Sequence, residues 1–384
     1  MIGFENVTIL TPERTIDGGA LLVRDGRIRA LGRRDAVELP AGAQRIDGQG
    51  NLLVPGFIEL QINGGFGMDF TERPETIWPV AERLPAYGVT SFLPTVITNP
   101  MATFQQAIEV IQAGEPVNFR GARPLGLHIE GPFLNQGKKG AHNPAYIRPP
   151  DLEATATWSR DNGVRLVTLA PEQPGAIELI RALVARGVVV SAGHSLATYE
   201  QAEQAFSAGV TYGTHLYNAQ PPLDHRKPGL SAALLTDPGV VFGMIVDGVH
   251  VHPAMVDLAW KAKGPDGITL VTDAMAALGM PPGTYPLGDH EVVVDGTSAW
   301  LADHSSLAGS ILTHDSALRN LMAFTGCTLG EALLTLTRTP ARVLGLTDRG
   351  RMASGAIADL VLLSPDGRVL MTVAAGEVVY NAGR

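Results

Sequence analysis

The sequence predicts an α/β protein, a (β/α)8 TIM-like barrel with a small β-sandwich assembled from the two ends of the chain. Three observations predict it. Between Val54 and about Leu346, short apolar runs alternate with stretches of helical period, the pattern of parallel βα units. Both ends instead carry short β-type segments joined by Asp-Gly turn pairs. No glycine-rich dinucleotide fingerprint follows an early strand, since Asn63-Gly64-Gly65-Phe66-Gly67 has its glycines at the wrong spacing, which disfavours a doubly wound open sheet.

In chain order, the first segments are 7–10, 20–24 and 28–31, with the turn Asp25-Gly26 before the third. The tail repeats this texture at 359–363, 369–373 and 378–380, with the turn Asp366-Gly367. Neither end has enough strands to bury a face alone, so pairing them is the economical arrangement. This assigns residues 1–53 and 348–384 to the β-sandwich and 54–347 to the barrel. Eight barrel strands are expected at 54–61, 89–98, 124–130, 164–171, 188–194, 210–216, 241–247 and 268–273. Helical periods lie between them at 75–87, 101–113, 176–186, 198–208 and 253–263.

Composition narrows the partners. The 29 Lys and Arg against 38 Asp and Glu give a formal charge of -9, which repels a polyphosphate, so nucleic acid is not an expected partner. Cys327 is the only cysteine, which leaves no intrachain disulfide and no cysteine metal cluster and fits a reducing cytoplasm. No basic-then-apolar leader opens the sequence, and the apolar run 238–246 is far below the roughly 18 residues of a spanning helix. No membrane association is expected.

In a barrel of this kind the chemistry sits at the C-terminal ends of the strands. Strand three ends in Leu127-His128-Ile129-Glu130, strand five in Ala192-Gly193-His194, strand six in Thr214-His215 and strand eight in Thr272-Asp273. One Glu and two His with an open position are the ligand set of a catalytic zinc site, which brings bound water to a near-neutral pKa. Any one of these could be an ordinary core residue; three at strand ends of one barrel argue for a metal. Asp273 could cap a following helix, but 279–283 is broken by Gly and Pro, so it is assigned as general base and then acid. His142 lies in the loop after strand three, where it could polarise a carbonyl or brace the turn, and His225-Arg226-Lys227 is a basic loop able to hold a phosphate. No lysine falls at a strand end, and strand one ends in Gln61-Ile62-Asn63 where a His-x-His pair would supply a second metal. Both absences point to one metal.

These motifs occur in register: Pro55-Gly56-Phe57-Ile58-Glu59, His128-Ile129-Glu130-Gly131-Pro132, Gly140-Ala141-His142-Asn143-Pro144, Ser191-Ala192-Gly193-His194-Ser195, Thr214-His215-Leu216-Tyr217-Asn218-Ala219, Asp247-Gly248-Val249-His250 and Val271-Thr272-Asp273-Ala274. Together they resemble the amidohydrolase superfamily and, within it, the N-acetylglucosamine-6-phosphate deacetylase family, over essentially the whole chain. The resemblance implies that Glu130, His194 and His215 bind one divalent metal per subunit, zinc foremost, with iron, manganese or cobalt as alternatives. It implies Asp273 as catalytic acid/base and His142 as the group holding the acetamido carbonyl. Ala141, Asn218, Ala219, Arg226, His250, Leu307, Ala308 and Gly309 match substrate-binding positions, with Arg226 and His250 reaching across a homodimer interface. Ala141 stands where some members have Thr, which removes a hydroxyl contact. The implied reaction is hydrolysis of N-acetyl-D-glucosamine 6-phosphate to glucosamine 6-phosphate and acetate. The alternatives are the N-acetylgalactosamine epimer, another amidohydrolase reaction, and a catalytically silent barrel with a binding role.

Overall fold

The computed structural model describes residues 1–11 and 14–383. The chain opens with strands Ile2–Leu10, Thr15–Arg24 and Arg27–Arg33, the last two joined by Asp25 and Gly26. Both turn residues have positive φ, 53° and 71°, the geometry that the Asp-Gly pair predicts for a tight hairpin. Strands Leu360–Leu363, Val369–Ala374 and Glu377–Asn381 close the chain. The two ends meet where Leu52–Pro55 pairs antiparallel with Leu360–Leu363, making one eight-stranded sheet. Phe4, Ile9, Leu21, Ile28, Leu53, Leu360 and Val373 fill its own apolar core. The expected first barrel strand is therefore divided: Leu52–Pro55 belongs to this sheet, and the barrel begins only at Phe57–Ile62.

Eight parallel strands then follow one another in chain order: Phe57–Ile62, Val89–Ile97, Leu127–Glu130, Val164–Leu169, Val189–Ala192, Val210–Gly213, Val241–Met244 and Ile268–Leu270. Their residues are buried almost throughout, as a sheet covered on both faces requires. The sheet closes by a parallel bridge between Ile62 and Ala274, with Asp273 N donating to Gln61 O at 2.8 Å. The outer helices bury one stripe each, such as Phe104, Ala107 and Ile108 on Met101–Gln112 and Leu179, Ile180 and Leu183 on Ala176–Ala185. Thr198 starts Tyr199–Ala208 with a capping box to Gln201. Helical geometry in Pro253–Gly267 breaks at Gly264, with φ 59° before Pro265, where the sequence pattern ends.

Two segments differ from expectation. The stretch 75–87 is not one helix but three short turns, Pro74–Thr76, Ile77–Ala81 and Leu84–Tyr87, because Pro79 and Pro85 interrupt the hydrogen-bond ladder. After strand eight the chain inserts a three-stranded antiparallel sheet, Gly283–Leu287, His290–Val294 and Ala299–Leu301. Its packing on Ile97, Met275 and Ala308 places it beside the mouth of the barrel. Among the described residues no helix is long and apolar enough to cross a membrane.

Arg349 ties the two parts of the molecule together. Its Nη1 donates to Asp359 Oδ2 and, at 3.0 Å, to Ser91 Oγ of barrel strand two, while Asp359 Oδ1 accepts from Ala375 N at 2.7 Å. Asp359 is buried at 3% exposed and Arg349 is largely covered at 13%, so removing the arginine leaves a buried carboxylate uncompensated. Arg349→Met should lower the unfolding free energy by about 3–5 kcal/mol. Urea unfolding reads this, and unchanged stability would show that the pair is not holding the junction.

Candidate metal centre and active site

Glu130, His194 and His215 stand at the ends of strands three, five and six and converge within one cavity of about 500 Å³. Glu130 Oε1 lies 3.1 Å from Nε2 of His194 and 3.1 Å from Nε2 of His215, and the two Nε2 atoms are 3.1 Å apart. Atoms bound about 2.0–2.1 Å from one ion at tetrahedral to octahedral angles would stand about 2.9–3.4 Å from each other. The triad fits that spacing. His194 Nδ1 donates to Lys138 O at 2.9 Å, which orients the ring so that Nε2 faces the other two ligands. Burial pushes the Glu130 carboxyl up, but hydrogen bonds from His194 and His215 outweigh it and hold it well below the usual carboxylate range. Burial opposes charge on His215, yet the bond to Glu130 lifts its pKa above the ordinary value. A divalent cation bound by such a cluster would take the place of the proton its donors otherwise share.

Asp273 approaches from strand eight and closes the circle. No helix follows it, so it is not an N-cap. Its Oδ1 accepts from Asn63 Nδ2 at 2.7 Å and from Gln61 Nε2 at 3.3 Å. Burial, and then the charge of Glu130, push its carboxyl up to about 6. His142 stands beside His194, with ring centroids 4.4 Å apart. Thr98 N donates to its Nδ1 at 3.3 Å, which leaves the proton on Nε2 in the neutral ring. Burial, and then the charge of His194, hold His142 well below the ordinary imidazole value, so the ring is a neutral N–H donor at the cavity wall.

The backbone is bent to aim these groups. His194, His215, Tyr217, Ala219 and Asp273 all have positive φ, between 28° and 75°. Each such residue costs on the order of 1–3 kcal/mol and persists only where surrounding bonds dictate it. Those bonds are present: Asn135 N donates to His194 O at 2.9 Å, Leu216 N to Gly243 O at 2.8 Å and Ser310 N to Asp273 O at 2.8 Å.

Ala141, Asn218, Ala219, His250, Leu307 and Gly309 line the same cavity. Two expected substrate positions do not. Ala308 is fully buried in the core under the inserted sheet, because its neighbours Leu307 and Gly309 take the two wall positions. Arg226 lies on the exposed loop after strand six, with its N–H on Asp224 Oδ1. Within one chain His250 lines this cavity, with its Nδ1 2.7 Å from Asp247 Oδ2. Sequence reasoning missed the supporting groups. Thr98, the Lys138 carbonyl and Asp247 orient His142, His194 and His250, and nothing in the sequence shows a carbonyl or hydroxyl 44 or 56 residues away approaching a ring. Gln61 and Asn63 drew notice only as missing histidines, although their alternation with Glu59 was a readable signal of one polar strand face.

The pattern of the amidohydrolase family matches residues 52–379. The chain is 42% identical to the human protein named N-acetylglucosamine-6-phosphate deacetylase, over 96% of this chain and 94% of that protein. It is 36% identical to the protein of that name from Bacillus subtilis (strain 168), over 98% and 96%. The crystal structure of the Pasteurella multocida deacetylase superposes with a TM-score of 0.92 at 34% identity, covering 98% of this chain and 99% of that one. A Mycobacterium smegmatis deacetylase variant solved with N-acetyl-D-glucosamine-6-phosphate superposes with a TM-score of 0.89 at 34% identity, covering 99% of both chains. With its eight-stranded barrel, its buried Glu/His/His cluster and this full-length likeness, the chain belongs to the amidohydrolase family, in the branch formed by the N-acetylglucosamine-6-phosphate deacetylases.

Proposed function

We propose that this protein hydrolyses the acetamido group of N-acetyl-D-glucosamine 6-phosphate, giving D-glucosamine 6-phosphate and acetate. The observation that carries the reading is Asp273, with its raised carboxyl pKa, held beside the Glu130, His194 and His215 triad and across one cavity from the neutral N–H of His142. A divalent ion on the triad, zinc foremost, supplies Lewis acidity and makes water nucleophilic near neutral pH. His142 donates its Nε2 proton in a hydrogen bond to the amide carbonyl oxygen, where negative charge develops. Ionised Asp273 takes the proton from the attacking water, and the tetrahedral carbon forms. Asp273 then returns the proton to nitrogen, because an amine leaves only when protonated, and the C–N bond breaks.

The sugar phosphate is assigned to Asn218, Ala219 and His250, with Ala141, Leu307 and Gly309 along the cavity wall. Among the described residues of one chain, Lys138 is the one lysine or arginine on the cavity wall. A homodimer that brings Arg226 of the partner subunit to the phosphate supplies the bidentate cation such a dianion calls for. The single thiol, Cys327, fits a cytoplasmic setting.

Asp273→Asn should cut acetate release by about 10²–10⁴-fold while leaving bound metal and KM nearly unchanged. Normal turnover in that variant would remove Asp273 from the mechanism. In the unsubstituted protein the active form has Asp273 ionised, so kcat/KM should fall as pH drops through about 6. A nearby bound cation moves this acid limb to lower pH, and a flat profile down to pH 4 would contradict the assignment. Chelation should abolish acetate release, and one divalent ion per chain should restore it. Two ions per chain at saturation would overturn the single-site reading of Gln61 and Asn63. Turnover of the N-acetylgalactosamine epimer at an equal rate would widen the substrate class.

A further inference from the structure

We infer that barrel strand one positions Asp273: Gln61 and Asn63 together hold its Oδ1, so that Oδ2 is the oxygen left for proton transfer in the cavity. The inference rests on the reading of Asp273 as acid and base. Glu59, Gln61 and Asn63 alternate along the strand, so their side chains share the face turned into the barrel. Each of them reaches strand eight. Glu59 Oε2 accepts from Thr272 N at 3.0 Å and from Thr272 Oγ1 at 2.6 Å, and its Oε1 accepts from Gln61 N at 2.8 Å. Gln61 Nε2 donates to Glu130 Oε1 at 3.0 Å and to Asp273 Oδ1 at 3.3 Å, spanning a metal ligand and the acid/base. Asn63 Nδ2 donates to the same Oδ1 at 2.7 Å.

The backbone on either side is equally committed. Strands one and eight share the isolated bridge of Ile62 and Ala274, reinforced by Asp273 N on Gln61 O at 2.8 Å and Asn63 N on Ala274 O at 2.7 Å. Glu59 therefore does with a side chain what ladder hydrogen bonds do at the other seams. An ionised carboxylate only accepts, so both carboxamides must turn their N–H groups toward Asp273 and their oxygens away. Gln61 Oε1 and Asn63 Oδ1 are accordingly buried without a partner among the described residues, in side chains 1% and 2% exposed. The N–H groups of both carboxamides are thus committed to one carboxylate oxygen from alternate positions of a single strand face. The backbone of Asp273, at φ 48°, sits in a conformation that needs such support.

The test uses the metal-loaded full chain with Gln61→Leu and Asn63→Leu, singly, each alone and in an Asp273→Asn background. Each single change is expected to lower kcat about ten- to hundredfold, with KM within about twofold and the metal content unchanged. In the Asp273→Asn background the same changes should leave the residual rate unaltered, because no base remains to be positioned. Losses that multiply in that background overturn the inference, as does a raised KM with kcat intact. Loss of metal from Gln61→Leu would show that this residue acts through Glu130 and would overturn its assigned role. Thermal midpoints check folding, and the two variants are read independently. An unsubstituted protein that releases no acetate overturns the functional reading itself, whereas active protein with indifferent variants overturns this inference alone.

Discussion

The structure is organised around three electron-rich atoms that only a shared positive charge, a proton or a metal ion, holds together. Glu130 Oε1 and the Nε2 atoms of His194 and His215 stand 3.1 Å apart in a buried cavity. Neutral imidazole lone pairs repel each other and the carboxylate at that separation, and burial removes the water that would screen them. A shared positive charge converts the repulsion into the strongest attraction in the site. Much else follows as support: the Lys138 carbonyl sets the His194 tautomer, Thr98 sets that of His142, and Gln61 links the triad to Asp273.

The same requirement explains where the fold accepts strain. Parallel strands deliver side chains to one rim of the barrel but do not aim them at a single point. The last step is made by residues with positive φ immediately beyond the strands, at His194, His215 and Asp273. Strain of this kind is stable only on a rigid base, and the barrel supplies one through strands buried on both faces and the closing bridge of Ile62 with Ala274. The inserted sheet after strand eight completes the cavity wall, through Leu287 and the segment carrying Ser305, Ser306 and Leu307.

The regular parts of the fold were legible because their signals are local. Strand, helix and turn patterns placed all eight barrel strands to within a few residues and the Asp25-Gly26 hairpin to the residue. Local pattern and observed structure part where two effects compete. The run 75–87 has helical spacing, yet Pro79 and Pro85 break it, and the apolar run at 54–61 conceals the passage from one sheet to another between Pro55 and Phe57. The Gly and Pro residues at 279–283 interrupt the βα alternation and hide the inserted sheet, although Val292 and Val294 alternate just beyond them.

By itself the sequence determined the element order, the residue types that can ligate a metal and their places at strand ends. Those properties depend on neighbours within a few positions, where propensity and periodicity act. Only the tertiary structure decided which atoms share a proton or a lone pair: that Asp273 hangs on Gln61 and Asn63, that His250 pairs with Asp247, and that Ala308 faces a core while Leu307 faces the cavity. These depend on separations of a few tenths of an ångström between residues up to 212 positions apart, set by barrel closure and strained turns that no local pattern encodes.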